Sequence, residues 1–304
     1  MHSHEHHHHT HAVSPKLLAG RAFKIGIILN ILFVIAETIA GLKFNSMALL
    51  TDAGHNLSDV GSLAISLLAF TLARRKATEF FTYGYKKTTV LAALANAVIL
   101  LLAVGIMMYE SIRRFYQPQE VQGMVVAWIA AAGIVVNGIS AFLFFKDKDS
   151  DLNVKSAYLH LVADALVSLG VVAAGIIISF TGWNWIDSFM GLVIALIILV
   201  STLKLLIESF KLSVDAVPHG IIVDDIKQFI LSNENITDVH HIHIWPLSTT
   251  ENALTAHIRI NDSLTFDQKM MVIKSLRHSL EHQNVHHSTF ELESEKINCD
   301  NKSC

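Results

Sequence analysis

TDAGHNLSD, residues Thr51 to Asp59, sets two aspartates and a histidine inside an apolar run that extends from about 47 to 72. A run of that length satisfies the roughly 20 residues needed to cross the hydrocarbon of a bilayer. A carboxylate at the bilayer centre costs about 2.5 to 3.5 kcal/mol even on lenient insertion scales, so charges kept there are candidates for function. Asp59 lies near the middle of the run and His55 one helical turn before it. At i, i+4 spacing the two share one face of a helix.

Outward from this segment, five more apolar stretches occur at about 24 to 42, 88 to 110, 124 to 145, 157 to 180 and 186 to 210. The 304 residues are 52% hydrophobic and only 16% charged, against roughly 25% charge in soluble domains. The composition therefore predicts an all-α domain of six transmembrane helices. The first stretch is long, lacks a convincing small-residue cleavage signal and is soon followed by a second, so it reads as a span and not as a signal peptide. Lys16, Arg21 and Lys24 precede span one, Arg74, Arg75, Lys76, Lys86 and Lys87 lie between spans two and three, and Lys146, Lys148 and Lys155 between four and five. The opposite loops hold only Lys43, Arg113 and Arg114. The positive-inside rule then puts both termini in the cytoplasm. No basic patch points to nucleic acid.

Span five repeats the arrangement of span two. In AYLHLVADAL (157–166), His160 and Asp164 are again four apart among apolar and small residues. If the two faces meet, two imidazoles and two carboxylates form an N2O2 set suited to tetrahedral Zn2+, and to Co2+ or Cd2+. Octahedral Mg2+ fits less well. Asp52, three residues before His55, continues the same face as a pathway or outer group, or else starts the helix near the interface. Glu37 in span one and Asn137 in span four are further polar groups at membrane depth, read as pathway or packing residues. Metal and proton compete for imidazole and carboxylate atoms, so the expected mechanism is exchange: cytosolic metal displaces protons, and external protons then expel the metal.

The ends of the chain are of a different kind. MHSHEHHHHTH (1–11) contains seven histidines without an apolar period, and residues 1–15 read as a disordered cytosolic tail, either an expression tag or a metal-collecting segment. Pro218 and Gly220 mark a break after span six. From there to about 293, a helix at 224–232, strands at VHHIHIW and ALTAHIRI, an amphipathic helix at 264–282 and a strand at STFELE predict a small α+β domain of order α-β-β-α-β. Roughly 80 residues are few for independent stability, so a partner subunit or metal is expected to assist. Residues 294–304 read as a second tail. Its Cys299 and Cys304 are expected to remain reduced in the cytosol, either as a soft-metal trap or without a role.

Together, TDAGHNLSD, FTYGYKK (81–87), YLHLVADAL (158–166) and HIHIW (241–245) resemble the cation diffusion facilitator family, in particular its zinc, cadmium and cobalt exporters, over about 16 to 293. The resemblance implies a homodimer with a membrane domain over 16–212. It also implies a ferredoxin-like cytosolic domain over 213–293 and proton-coupled export of Zn2+ as substrate. Metal is further implied as a regulatory ligand between paired cytosolic domains. Lys87 matches the family lysine that pairs with an aspartate after span six, and Asp215 matches that partner. His240 and His257 fall on the family's cytosolic ligand positions, with Glu291 or Glu293 on the last strand. Strict alternation puts His240 with Ile242 and Ile244, and His241 and His243 opposite, leaving open which histidine binds. Where some members carry ligands between spans two and three, this chain has Phe81 and Tyr85, so no metal is expected there.

Two rivals remain. A membrane zinc enzyme would need an open coordination position and a base, as in H-E-x-x-H, which does not occur here, so the chain is not expected to be an enzyme. A metal receptor without flux is separated from an exporter by transport measurements. The absence of an organelle signal points to a bacterial plasma membrane.

Overall fold

The structure, a computed structural model, describes residues 21–145 and 152–294. The histidine-rich tail, Lys146, Lys148, Cys299 and Cys304 lie outside them. Long helices come first: α1 (Arg21–Lys43), α2 (Met47–Ala73), α3 (Thr88–Tyr116), α4 (Gly123–Phe145), α5 (Leu152–Thr181) and α6 (Trp185–Ser213). Among the described residues five, α2 to α6, are long and apolar enough to cross a membrane. A smaller set follows: α7 (Val223–Leu231), β1 (Ile236–Pro246), β2 (Asn252–Ile260), α8 (Phe266–Glu281) and β3 (His287–Ser294). The predicted helix-strand-strand-helix-strand order is present.

Contacts divide the chain into two compact units, one comprising the residues up to Ile65 and Ala95–Leu206, the other Ser66–Leu94 and the residues from Ile207 onward. In the first unit, Leu49, Val104, Val126, Val171 and Ala195 form the packed interior. Leu102, Ile106, Phe142 and Phe180 stay exposed, as side chains that face acyl chains do. Without a hydrophobic drive between helices in lipid, close approach depends on small residues. Gly123 and Gly175 meet so tightly that a Cβ on Gly123 would stand 2.3 Å from the Gly175 carbonyl. Alanine at either position would force α4 and α5 apart.

The start of α2 is held by Asp187, a buried residue in the first turn of α6. Its carboxylate accepts from Ser46 Oγ and from Met47 N, both at 2.5 Å. An anion at a helix N-terminus satisfies orphan N–H groups and meets the positive end of the macrodipole. This cap fixes the register in which α2 presents His55 and Asp59.

In the second unit, the sheet order is β1-β2-β3, with β1 and β2 antiparallel and β2 and β3 parallel. Its core face carries Val239, Ile244, Leu254, Ala256 and Ile258, which bury against Ile226 and Ile230 of α7 and Ile273, Leu276 and Leu280 of α8. Helix α8 begins with a capping box between Thr265 and Gln268.

Strand β1 departs from the expected alternation. His240 pairs with His257, but the next pair is His243 with Thr255. Two residues of β1 therefore stand where β2 has one, a β-bulge. His241 adopts φ 49. The extra residue reverses the alternation, so His240 and His243 share the face opposite Val239 and Ile244. The expected partition, His240 with Ile244 and against His243, is incorrect because period-2 reading assumes an unbroken ladder.

Candidate metal centre

Helices α2 and α5 bring His55, Asp59, His160 and Asp164 together. His160 Nε2 lies 3.0 Å from Asp59 Oδ2 and 3.5 Å from Asp164 Oδ2; His55 Nε2 lies 3.6 Å from Asp164 Oδ1 and 3.9 Å from Asp59 Oδ2. Both imidazoles thus direct Nε2 at the same two carboxylates, with their rings edge to face at 5.8 Å. Tetrahedral Zn2+ with ligand bonds of about 2.0 to 2.2 Å has ligand-to-ligand edges of about 3.3 to 3.6 Å. The separations from Asp59 Oδ2 bracket that range, and His55, Asp59 and His160 each offer one ligand atom within 4.8 Å of the others, whereas Asp164 meets the two imidazoles through different oxygens. Small rotamer adjustments would equalise the separations around one ion.

Asp164 is buried, whereas Asp59 and His160 are more than one-third exposed. The site is therefore open on one side and closed on the other. Beyond it lie Asp52 and Glu37, both fully buried. Ser168 Oγ, one turn after Asp164 on α5, donates to Asp52 Oδ2 at 3.4 Å. The Glu37 carboxyl faces that of Asp52 and, among the described residues, meets no N–H or O–H donor. Asn137, also buried, leaves its Nδ2 without an acceptor among the described residues.

A second cluster stands on the polar face of the sheet. His257 Nδ1 lies 2.9 Å and His240 Nε2 3.2 Å from the same oxygen, Glu293 Oε1. His257 Nε2 lies 3.4 Å from Glu291 Oε2, and His240 Nδ1 3.1 Å from Asp238 Oδ2. Arg259 approaches the other Glu293 oxygen at 3.5 Å. Burial raises the Glu293 carboxyl, but the hydrogen bonds and charges of His257 and His240 outweigh it and hold the group below the usual glutamate range. Of the three histidines left open by the sequence, His240 joins this cluster with its nitrogen. His241, at the bulge, lays its ring 4.9 Å from that of His257, and His243 is exposed.

Lys87, the first turn before α3, donates to Asp215, to the Leu212 carbonyl at 3.0 Å and to the Pro246 carbonyl at 3.1 Å. The sequence does not reveal the two contacts beside it. Lys86 Nζ meets Glu251 Oε2 at 2.5 Å, and Thr249 N donates to Thr89 Oγ1 at 3.0 Å. The tip of the β1–β2 hairpin is thereby fastened to the start of α3. In the loop before Lys86, Phe81 and Tyr85 stack at 4.8 Å.

Residues 23–212 match the model of the cation efflux transmembrane domain, and residues 218–295 that of the cation efflux protein cytoplasmic domain. The chain belongs to the cation efflux family. Relatives within that family include a "Cadmium, cobalt and zinc/H(+)-K(+) antiporter" of Bacillus subtilis, 38% identical over 88% of this chain and 87% of the relative. The "Metal cation efflux system protein CzcD" of Cupriavidus metallidurans is 35% identical over 90% and 86%. The "Zinc transporter ZitB" of Escherichia coli is 31% identical over 86% and 83%. As a cation efflux protein the chain has a multi-pass membrane domain and a cytoplasmic domain, and the His/Asp cluster of α2 and α5 lies in the first of these.

Proposed function

We propose that the chain exports Zn2+, and with it Cd2+ or Co2+, from the cytosol in exchange for protons, using His55, Asp59, His160 and Asp164 as the transport site. The observation that carries this reading is the convergence of two imidazoles and two carboxylates across α2 and α5, with His55, Asp59 and His160 already offering one ligand atom each within 4.8 Å of one another. Four protein donors saturate Zn2+, which favours carrying the ion over activating water on it. Proton coupling follows because protonated imidazole and carboxyl no longer bind metal. Asp52, buried and accepting from Ser168 one turn after Asp164, is a pathway residue beside the site.

In this reading α1 is the first of six spans, both termini are cytoplasmic, and the membrane is the plasma membrane of a bacterium. The cytosolic domain, residues 213–293, is a ferredoxin-like module through which two copies form a homodimer. Its cluster of His240, His257 and Glu293, with Glu291, takes a regulatory metal ion, and Lys87 with Asp215 holds the membrane helices to it. The names of the relatives, which cite zinc, cadmium, cobalt and protons, support the substrate class and the exchange.

Proteoliposomes provide the test. Metal flux should saturate, acidify or alkalinise the lumen in step with transport, and vanish in Asp164→Ala. Flux that ignores a pH gradient and moves no protons would refute the exchange, and undiminished flux in the variant would refute the site.

A further inference from the structure

The last turn of α8 ends in His278-Ser279-Leu280-Glu281-His282, on the opposite side of the sheet from the His240 cluster and sharing no residue with it. Leu280 is fully buried and fixes the turn against the core, so the residues on either side of it point outward. His278 and His282 are one turn apart, with ring centroids 5.3 Å apart. Between them in sequence, Glu281 brings Oε2 to 3.6 Å from His278 Nδ1. The His278 and Glu281 side chains are 75% and 58% exposed.

We propose that His278, Glu281 and His282 form a solvent-facing binding site for a divalent cation of the zinc class. Histidines at i and i+4 on one helix face can both reach a single ion at about 2.0 to 2.1 Å, and the carboxylate supplies a third donor. The C-terminal end of a helix carries the negative end of its macrodipole, which favours a cation there. Glu281 also borders a hollow of about 240 Å³ lined by His286 and His287, so further imidazoles stand close by. Arg277 lines the same hollow and opposes a second positive charge, which limits the site to modest affinity. Three protein donors leave coordination positions to water. Such a site loads and unloads rapidly and suits first capture of metal from the cytosol. That capture role rests on the export reading; the binding itself does not.

The test uses the full chain in detergent, carrying Asp59→Ala so that transport is absent, and reads carbethoxylation of each histidine by mass spectrometry with and without Zn2+. The exposed His219 serves as the internal reference. Zinc is expected to slow modification of His278 and His282 together at one midpoint. Removing a chelating partner by His282→Ala should raise the midpoint for His278 by about tenfold or more, and Glu281→Gln should raise it in the same direction. The proposal is overturned if zinc leaves both histidines modified at the rate of His219, or if His278 keeps its full protection in His282→Ala. Because the readout is local binding in a chain that cannot transport, a negative result here is distinct from failure of the export reading.

Discussion

Asp59 lies closer to His160 on the neighbouring helix, at 3.0 Å, than to His55 on its own, at 3.9 Å. The sequence pattern H-x-x-x-D suggests two pairs, each within a helix. The geometry makes one set of four, in which each carboxylate bridges both helices. Loss of one member should therefore disable the whole. Asp59→Ala and His160→Ala are each expected to slow metal flux in proteoliposomes by about tenfold or more, and the double variant should be no slower than the worse single one. Additive losses would mean that the two residues act separately.

Metal should stabilise the cytosolic sheet through His240, His257 and Glu293. A ligand that binds only the folded form at 100 times its Kd adds about 2.7 kcal/mol. Thermal unfolding of the purified chain should shift upward with Zn2+. His240→Ala is expected to remove most of the part of that shift that persists in a chain already carrying Asp164→Ala.

Acid should weaken the same cluster. Glu293 titrates below its ordinary value of 4.5 because His257 and His240 favour its ionised form, more than offsetting burial. A carboxylate depressed in the folded state contributes stability that is complete above its unfolded value and is lost as the pH falls through the folded one. Without metal, Glu293→Gln should lower the thermal midpoint at pH 7, and its gap from the wild type should close as the pH falls below 4.5. A gap that is independent of pH would assign the effect to packing.

The Lys86–Glu251 contact fastens the hairpin tip with two partly exposed side chains, so its own worth is at most about 1 kcal/mol. Lys86→Glu should raise amide exchange at Thr249 and Glu251 by up to about fivefold, and adding Glu251→Lys should restore protection. Hydrogen exchange with mass spectrometry reads both.

Much of this architecture is legible from residue order because local chemistry encodes it. Apolar runs report helices, and the buried aspartates of α2 and α5 mark themselves by being costly. The αββαβ order follows from its periods. What escapes is decided by residues far apart in the chain. Asp187 caps α2 across 140 residues, and nothing in WIDSF (185–189) declares that partner. The bulge at His241 escapes for a different reason: HHIHI (240–244) alternates only from His241 onward, and pairing with β2 is what shows one residue too many. The Glu37–Asp52 approach is likewise invisible, since each residue alone reads as an isolated polar group.

An ammonium group has three protons set at tetrahedral angles, and Lys87 finds an acceptor for each: the Asp215 carboxylate and the carbonyls of Leu212 and Pro246. Two of the three belong to the main chain and persist whatever side chains evolve there. This position therefore senses shape as well as sign. Arginine, equal in charge, offers its donors in a flat fork and cannot serve three acceptors arranged around a point. Lys87→Arg is accordingly expected to loosen the hairpin in the same exchange measurement while leaving the net charge unchanged, which marks the residue as a joint defined by directional bonds.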